Sequence, residues 1–110
     1  MSDIDEEETE KKVLLPPMSI RYCDLPAELL HQAQVYAHEA MEAHKLEKDI
    51  ATAIKKRCDE DLAFNTGGKG AWQCIVGKSF GMSITYDAKW IAFFDVIPAE
   101  KTVLLFRSQR

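Results

Sequence analysis

The stretch from Trp72 to Asp87 limits the possible folds more than any other part of this 110-residue chain. Trp72-Gln-Cys-Ile-Val76 is rich in β-forming residues and is interrupted by Gly77. Phe80, Met82, Ile84 and Tyr86 then alternate with Ser79, Gly81, Ser83 and Thr85, a period of two that places apolar and polar residues on opposite faces of a strand. The segment is predicted to form two strands joined at a tight bend. Gly81, inside the second strand, carries no side chain, as at a bulge or a close backbone approach. At a sheet edge such a strand leaves a row of open N–H and C=O groups that must be covered or used. Two readings follow: an ordinary hairpin in a small core, or an edge built for pairing.

The rest of the chain supplies that core. Met18 to Cys23 alternates weakly and is expected to be a short edge strand. Asp24-Leu-Pro26 reads as a helix start, with a capping acid and a proline whose missing N–H costs nothing in the first turn. Leu29, Ala33, Tyr36, Ala37, Ala40 and Met41 recur at helical spacing to about His44. A second helix is predicted from Leu46, with Glu47 and Asp49 suited to its first turn and Ile50, Ile54, Cys58 and Leu62 on one face. Asn65-Thr-Gly-Gly-Lys-Gly70 breaks the pattern. Beyond the opening stretch come a nearly all-apolar strand from Lys89 or Trp90 to Ile97, a turn at Pro98–Lys101, and a last strand over Thr102–Arg107. The expected fold is α+β, order β-α-α-β-β-β-β, with two helices on one face of an antiparallel sheet.

Charge is distributed unevenly. Residues 1–12 hold Asp3, Asp5, Glu6, Glu7, Glu8 and Glu10 against Lys11 and Lys12, so this segment carries the whole formal charge of −4. It reads as an acidic tail too poor in apolar residues to order by itself, ahead of one folded domain over 13–110. The neutral remainder has no basic stripe to neutralise phosphates, so no nucleic-acid partner is expected. No apolar run is long enough to suggest a signal peptide or membrane span. Cys23, Cys58 and Cys74 are widely spaced and odd in number, which fits reduced thiols serving as apolar filler.

Chemistry-bearing patterns are sparse. Gly67-Gly-Lys-Gly70 lies between a helix and a strand, the reverse of a phosphate loop, and is read as a connector. His31 and His38 share a helix face seven residues apart, and His44 follows; without accompanying cysteines they read as solvated side chains. Cys74 sits mid-strand among apolar neighbours, where nothing lowers a thiol pKa. Lys55-Lys-Arg57 is read as a solvated helix face answered by Asp59-Glu-Asp61. No nucleophile elbow or Cys-x-x-Cys occurs, and neither catalysis nor a cofactor is expected.

One combination is specific. Leu46-Glu-Lys-Asp-Ile-Ala51, Ile54-Lys-Lys56, Trp72-x-Cys-Ile-Val-Gly77, Phe80-Gly81, Thr85, Lys89 and Leu104-Leu-Phe106 resemble the small DYNLL-type dynein light chain family, from about Asp24 to Ser108. The resemblance implies a dimer in which the strand matching Ser79–Thr85 pairs with the partner's sheet. It also implies two grooves that take short disordered segments as added strands, commonly through a Thr-Gln-Thr-like motif. Carried over, Glu47 and Lys48 match the helix-start pair that receives the motif glutamine. The groove lining corresponds to Ser79, Phe80, Gly81, Met82, Ser83, Thr85, Tyr86, Phe93 and Asp95. The dimer interface corresponds to Gln73, Lys78, Ser79, Phe80, Met82 and Ile84, and Ser108 matches a proposed phosphorylation site.

The departures are equally informative. Gln73 stands where family members have an interface histidine, which removes a titrating group. Met82, Ser83, Tyr86, Phe93 and Asp95 alter the side-chain lining of the groove, and the segments Ala63–Gly70 and Ile97–Lys101 are longer. The expectation is a specialised, non-catalytic subunit that binds dynein intermediate chains and pairs with itself or another light chain. It would be cytoplasmic and cytoskeletal, with an axonemal outer arm as one setting. A motif-binding hub or adaptor not tied to a motor is the alternative.

Overall fold

The computed structural model describes residues 15–66, 71–78 and 90–107. The acidic tail and the strand predicted over Phe80–Tyr86 lie outside the described residues. Strand β1 (Met18–Cys23) leads into helices α1 (Ala27–Ala43) and α2 (Glu47–Glu60), then a 3₁₀ turn over Leu62–Asn65. Strands β2 (Trp72–Gly77), β3 (Ile91–Val96) and β4 (Lys101–Arg107) complete the elements among the described residues. The four strands form one antiparallel sheet in the order β1-β3-β4-β2. The expected class, two helices on an antiparallel sheet, is the one observed. So are the edge position of β1 and the interior position of the apolar strand β3.

The periodicities explain the packing. Ala33, Tyr36, Ala37 and Ala40 of α1 and Ile50, Ile54 and Cys58 of α2 are buried together against one sheet face. That face offers Trp72 from β2, Ala92, Phe94 and Val96 from β3, and Val103 and Leu105 from β4. Alternation sends every second strand residue into this layer. Trp72 is fully buried, meets Phe64 edge-on with ring centroids 5.2 Å apart, and donates its indole N–H to the Phe64 carbonyl at 3.1 Å. The 3₁₀ turn is thereby fastened to the sheet.

Local expectations needed three corrections. Asp24 does not cap α1; the cap position is Pro26. The Asp24 carboxylate instead accepts from the Ile91 N–H at 2.9 Å, and its own N–H donates to the Ile91 carbonyl at 2.9 Å. The helix begins at Ala27, later than a cap at Asp24 requires, which leaves the Asp24 carboxylate to complete the pairing with β3. Leu62 does not continue the buried stripe of α2, because the helix stops at Glu60 and Leu62 is 82% exposed. Asn65 is not a mere breaker. Its amide donates to the carbonyls of Cys58, Asp59 and Asp61 at 3.0, 3.1 and 2.7 Å, satisfying acceptors that the end of α2 leaves open.

The Ile97–Glu100 turn joins β3 to β4, with the Glu100 N–H donating to the Ile97 carbonyl at 3.1 Å. Glu100 has φ 57°, a left-handed conformation that disfavours a residue with a side chain. Trp90, with φ 64°, enters β3 in the same region. The Arg107 guanidinium lies 5.8 Å from its ring and 5.5 Å from that of Trp72, within reach of a cation–π contact with both.

Candidate functional site

Of the described candidate residues, Glu47 and Lys48 lie on α2, whereas Gln73, Phe93 and Asp95 lie on the sheet face turned away from the helices. Strand register builds it in rows. One row runs Ile75–Leu104–Phe93–Tyr22 across β2, β4, β3 and β1; the next is Gln73–Phe106–Ile91. Ile91, Phe93 and Leu104 form a second buried cluster, with Tyr22 and Phe106 packed on it. Ile75, on β2, the outermost of the described strands on this side, is 44% exposed. The face is therefore an apolar strip that crosses all four described strands.

A polar row closes one end: Gly77, Thr102, Asp95 and Ser19 lie in register. The Thr102 hydroxyl donates to one Asp95 oxygen at 2.6 Å and the Arg21 Nε donates to the other at 2.9 Å. Arg21 also lies over the Phe93 ring, 5.3 Å from its centroid. Partial burial works against the charged form of Asp95, but the Thr102 hydroxyl and the Arg21 guanidinium outweigh it. The carboxyl therefore titrates below its usual range. Beside it, Lys101 Nζ lies 3.1 Å from a Glu47 oxygen, tying the first turn of α2 to β4. Lys78, Asp95, Ile97, Glu100, Lys101 and Thr102 line a cavity of about 310 Å³ at this end.

Of the sequence-predicted residues, Asp95 lines the cavity, and Glu47 lies outside its lining but pairs with Lys101, one of its walls. Lys78, expected at a dimer interface, lines the same cavity. Lys48 is exposed on α2, Gln73 is half-buried on the apolar face, and Phe93 lies beneath Arg21. Ser79, Phe80, Gly81, Met82, Ser83, Ile84, Thr85, Tyr86 and Ser108 lie outside the described residues. Arg21, Lys101 and Thr102 were not singled out beforehand. The only prior signal was that Asp95, a charge in an apolar strand, needs partners.

The remaining reactive groups are quiet. Burial pushes the Cys58 thiol up to about 12 and drives the Cys74 thiol further in the same direction, away from the nucleophilic thiolate. Burial and then the hydrogen bond to Asp61 push the Tyr36 hydroxyl up to about 12. The basic run pairs only partly as expected. Lys55 meets Asp59 at 2.6 Å, whereas Arg57 crosses to Glu39 of α1 at 3.0 Å and lies over the Tyr36 ring. Among the described residues no three His, Cys, Asp or Glu side chains gather as metal ligands.

Comparison with known proteins bears on the family and the fold. The model of the family described as dynein light chain type 1 matches residues 17–108. A protein named "Dynein light chain, cytoplasmic" from Emericella nidulans is 36% identical over 102 residues, covering 92% of this chain and 98% of its own. Among solved structures, the dynein light chain-like domain of a Fasciola hepatica calcium-binding protein superposes with a TM-score of 0.66. It shares 17% identity, over 89% of this chain and 98% of that one, which supports the fold. By sequence over nearly its whole length, the chain belongs to the dynein light chain family.

Proposed function

We propose that the protein is a non-catalytic light-chain subunit that dimerises and holds extended segments of dynein intermediate chains by β-strand addition. The observation that carries this reading is an apolar sheet face that runs out to β2 and ends at Asp95, with Glu47 of α2 tied to the same end of the sheet through Lys101. An added strand gains affinity from backbone hydrogen bonds and selectivity from alternate side chains, and such a face supplies apolar rows and a charged stop. Glu47, Lys48, Phe93 and Asp95 are assigned to the groove with the residues at 79–83, Thr85 and Tyr86. Gln73 and Lys78 are assigned to the dimer contact with Ser79, Phe80, Met82 and Ile84. Two grooves per dimer would let a paired client gain by effective concentration. The relative's name supports a cytoplasmic, cytoskeletal setting, and an axonemal arm remains part of the proposal.

Calorimetry with an intermediate-chain segment carrying a Thr-Gln-Thr-like motif tests the groove. Binding should weaken with Thr85→Ala and with Gly81→Glu while the helical circular dichroism is retained. Unchanged affinity in both variants sinks the assignment. Recovery of the native complex with non-motor clients and never with dynein chains would favour the adaptor role.

A further inference from the structure

We infer that Arg21 closes the β1 edge of the sheet to strand addition and so confines added strands to the β2 side. The closure stands without the strand-binding reading above; the confinement of client strands rests on it. The two outermost described strands, β1 and β2, differ in kind. β2 pairs with β4 without irregularity, from Trp72 opposite Arg107 to Gly77 opposite Thr102. β1 slips at Arg21: Ile20 faces Phe94 and Tyr22 faces the adjacent Phe93, so Arg21 is the extra residue of a bulge. A strand offers its outward N–H and C=O groups at two-residue intervals, and an extra residue breaks that spacing for any strand arriving from outside.

What the bulge leaves is too short to use. Met18–Ile20 lies on one side of it and Tyr22–Cys23 on the other, against about five or six residues for an ordinary strand. Neither run can lengthen. Pro16 and Pro17, which have no N–H to give, precede the strand, and the Pro17 carbonyl is taken by the Ile97 N–H at 3.1 Å. Past Cys23, the N–H and the carboxylate of Asp24 are both engaged by the Ile91 backbone, each at 2.9 Å. The bulge is also held in place. The Arg21 Nε donates to Asp95 at 2.9 Å, its guanidinium lies 5.3 Å from the centre of the Phe93 ring, and Thr102 donates to the same carboxylate at 2.6 Å. A strand that covered this edge would have to bury a charged group with it.

Arg21 is not needed for the alternation of faces. Met18, Ile20 and Cys23 stand opposite Val96, Phe94 and Ala92 in the helix-facing layer, and Ser19 and Tyr22 opposite Asp95 and Phe93 on the other side. Without Arg21 this order is unbroken, so its removal straightens the edge and sends no side chain to the wrong face. The residue acts at the edge rather than in the core.

The test uses the full chain and a variant that lacks only Arg21. Two straight edges pair antiparallel about a two-fold axis, so sedimentation of the variant should show a mass rising with concentration toward twice that of the natural protein. Over the same range the amides of Ser19–Tyr22 should exchange severalfold more slowly. Unchanged mass in a variant with native circular dichroism overturns the closure. So does association without slower exchange at these amides, because the contact would then lie elsewhere. If the deletion does not fold, Arg21→Val decides: it removes the charge and its ties and should associate to a smaller degree, and an unchanged mass again overturns the closure. An excess of the Thr-Gln-Thr-like peptide should slow the same amides in the folded variant and leave them unchanged in the natural protein. Slowing in the natural protein, or none in the variant, overturns the confinement. A peptide that calorimetry shows to bind neither protein removes the client-groove reading and the confinement together, while sedimentation still decides whether the edge is closed.

Discussion

Lys101 and Glu47 lie 54 positions apart in the chain, yet the ammonium and carboxylate meet at 3.1 Å, joining the start of β4 to the first turn of α2. The Lys101 side chain is 18% exposed and that of Glu47 38%. The contact therefore orients Glu47 more than it stabilises the fold. Lys101→Met should change unfolding free energy by less than about 1 kcal/mol, as for other half-exposed pairs. If Glu47 receives a client amide, losing its orientation should weaken peptide binding by roughly fivefold, about 1 kcal/mol. Urea denaturation and calorimetry on the same variant separate the two effects.

Asp95 makes stability depend on pH in a definite direction. Its folded carboxyl titrates below the ordinary value through Thr102 and Arg21, so the folded state favours the charged form. The stabilisation is complete above the unfolded aspartate range, about 3.9, and is lost as pH falls through the lower folded value. The stability gap between the natural protein and Asp95→Asn should be constant from pH 7 to about 5 and should narrow below about 4. A gap that widens on acidification would contradict the assignment.

Trp72→Phe removes the indole donor and leaves the buried Phe64 carbonyl without that partner. Loss of a buried hydrogen bond together with a small cavity should cost about 2–3 kcal/mol. The urea midpoint should fall at unchanged slope. A loss below about 0.5 kcal/mol would show that the 3₁₀ turn is held by other contacts.

Glu100→Gly should stabilise the chain, because φ 57° costs a residue with a side chain energy that glycine does not pay. The expected gain is about 0.5–1 kcal/mol, seen as a melting temperature a few degrees higher. A lower melting temperature would mean that the Glu100 side chain contributes more than its backbone costs.

Much of the fold was legible in the order of residues. Helical spacing from Leu29 to Met41 and from Ile50 to Cys58 marked the faces of α1 and α2 that are buried or half-buried against the sheet, and the apolar run Ile91–Phe94 marked an interior strand. Each of these signals is local: burial of a stripe or a strand follows from the period of a few residues. Asn65 was read only as a breaker and Asp24 as a cap because both residues suit several hydrogen-bonding roles nearby in sequence. Their actual acceptors and donors, at Cys58 and Ile91, depend on where other elements arrive.

The candidate site divides in the same way. Glu47, Lys48, Gln73, Phe93 and Asp95 were found by resemblance to a family, and that membership is carried by the chain itself. What only the tertiary structure decided is that Arg21 and Thr102 hold Asp95, that Lys101 holds Glu47, and that these pairs gather at one cavity with Lys78. Sequence periodicity assigns a side chain to a face. The sheet order β1-β3-β4-β2 and its register assign that side chain its neighbours, and the energy of a charge depends on those neighbours.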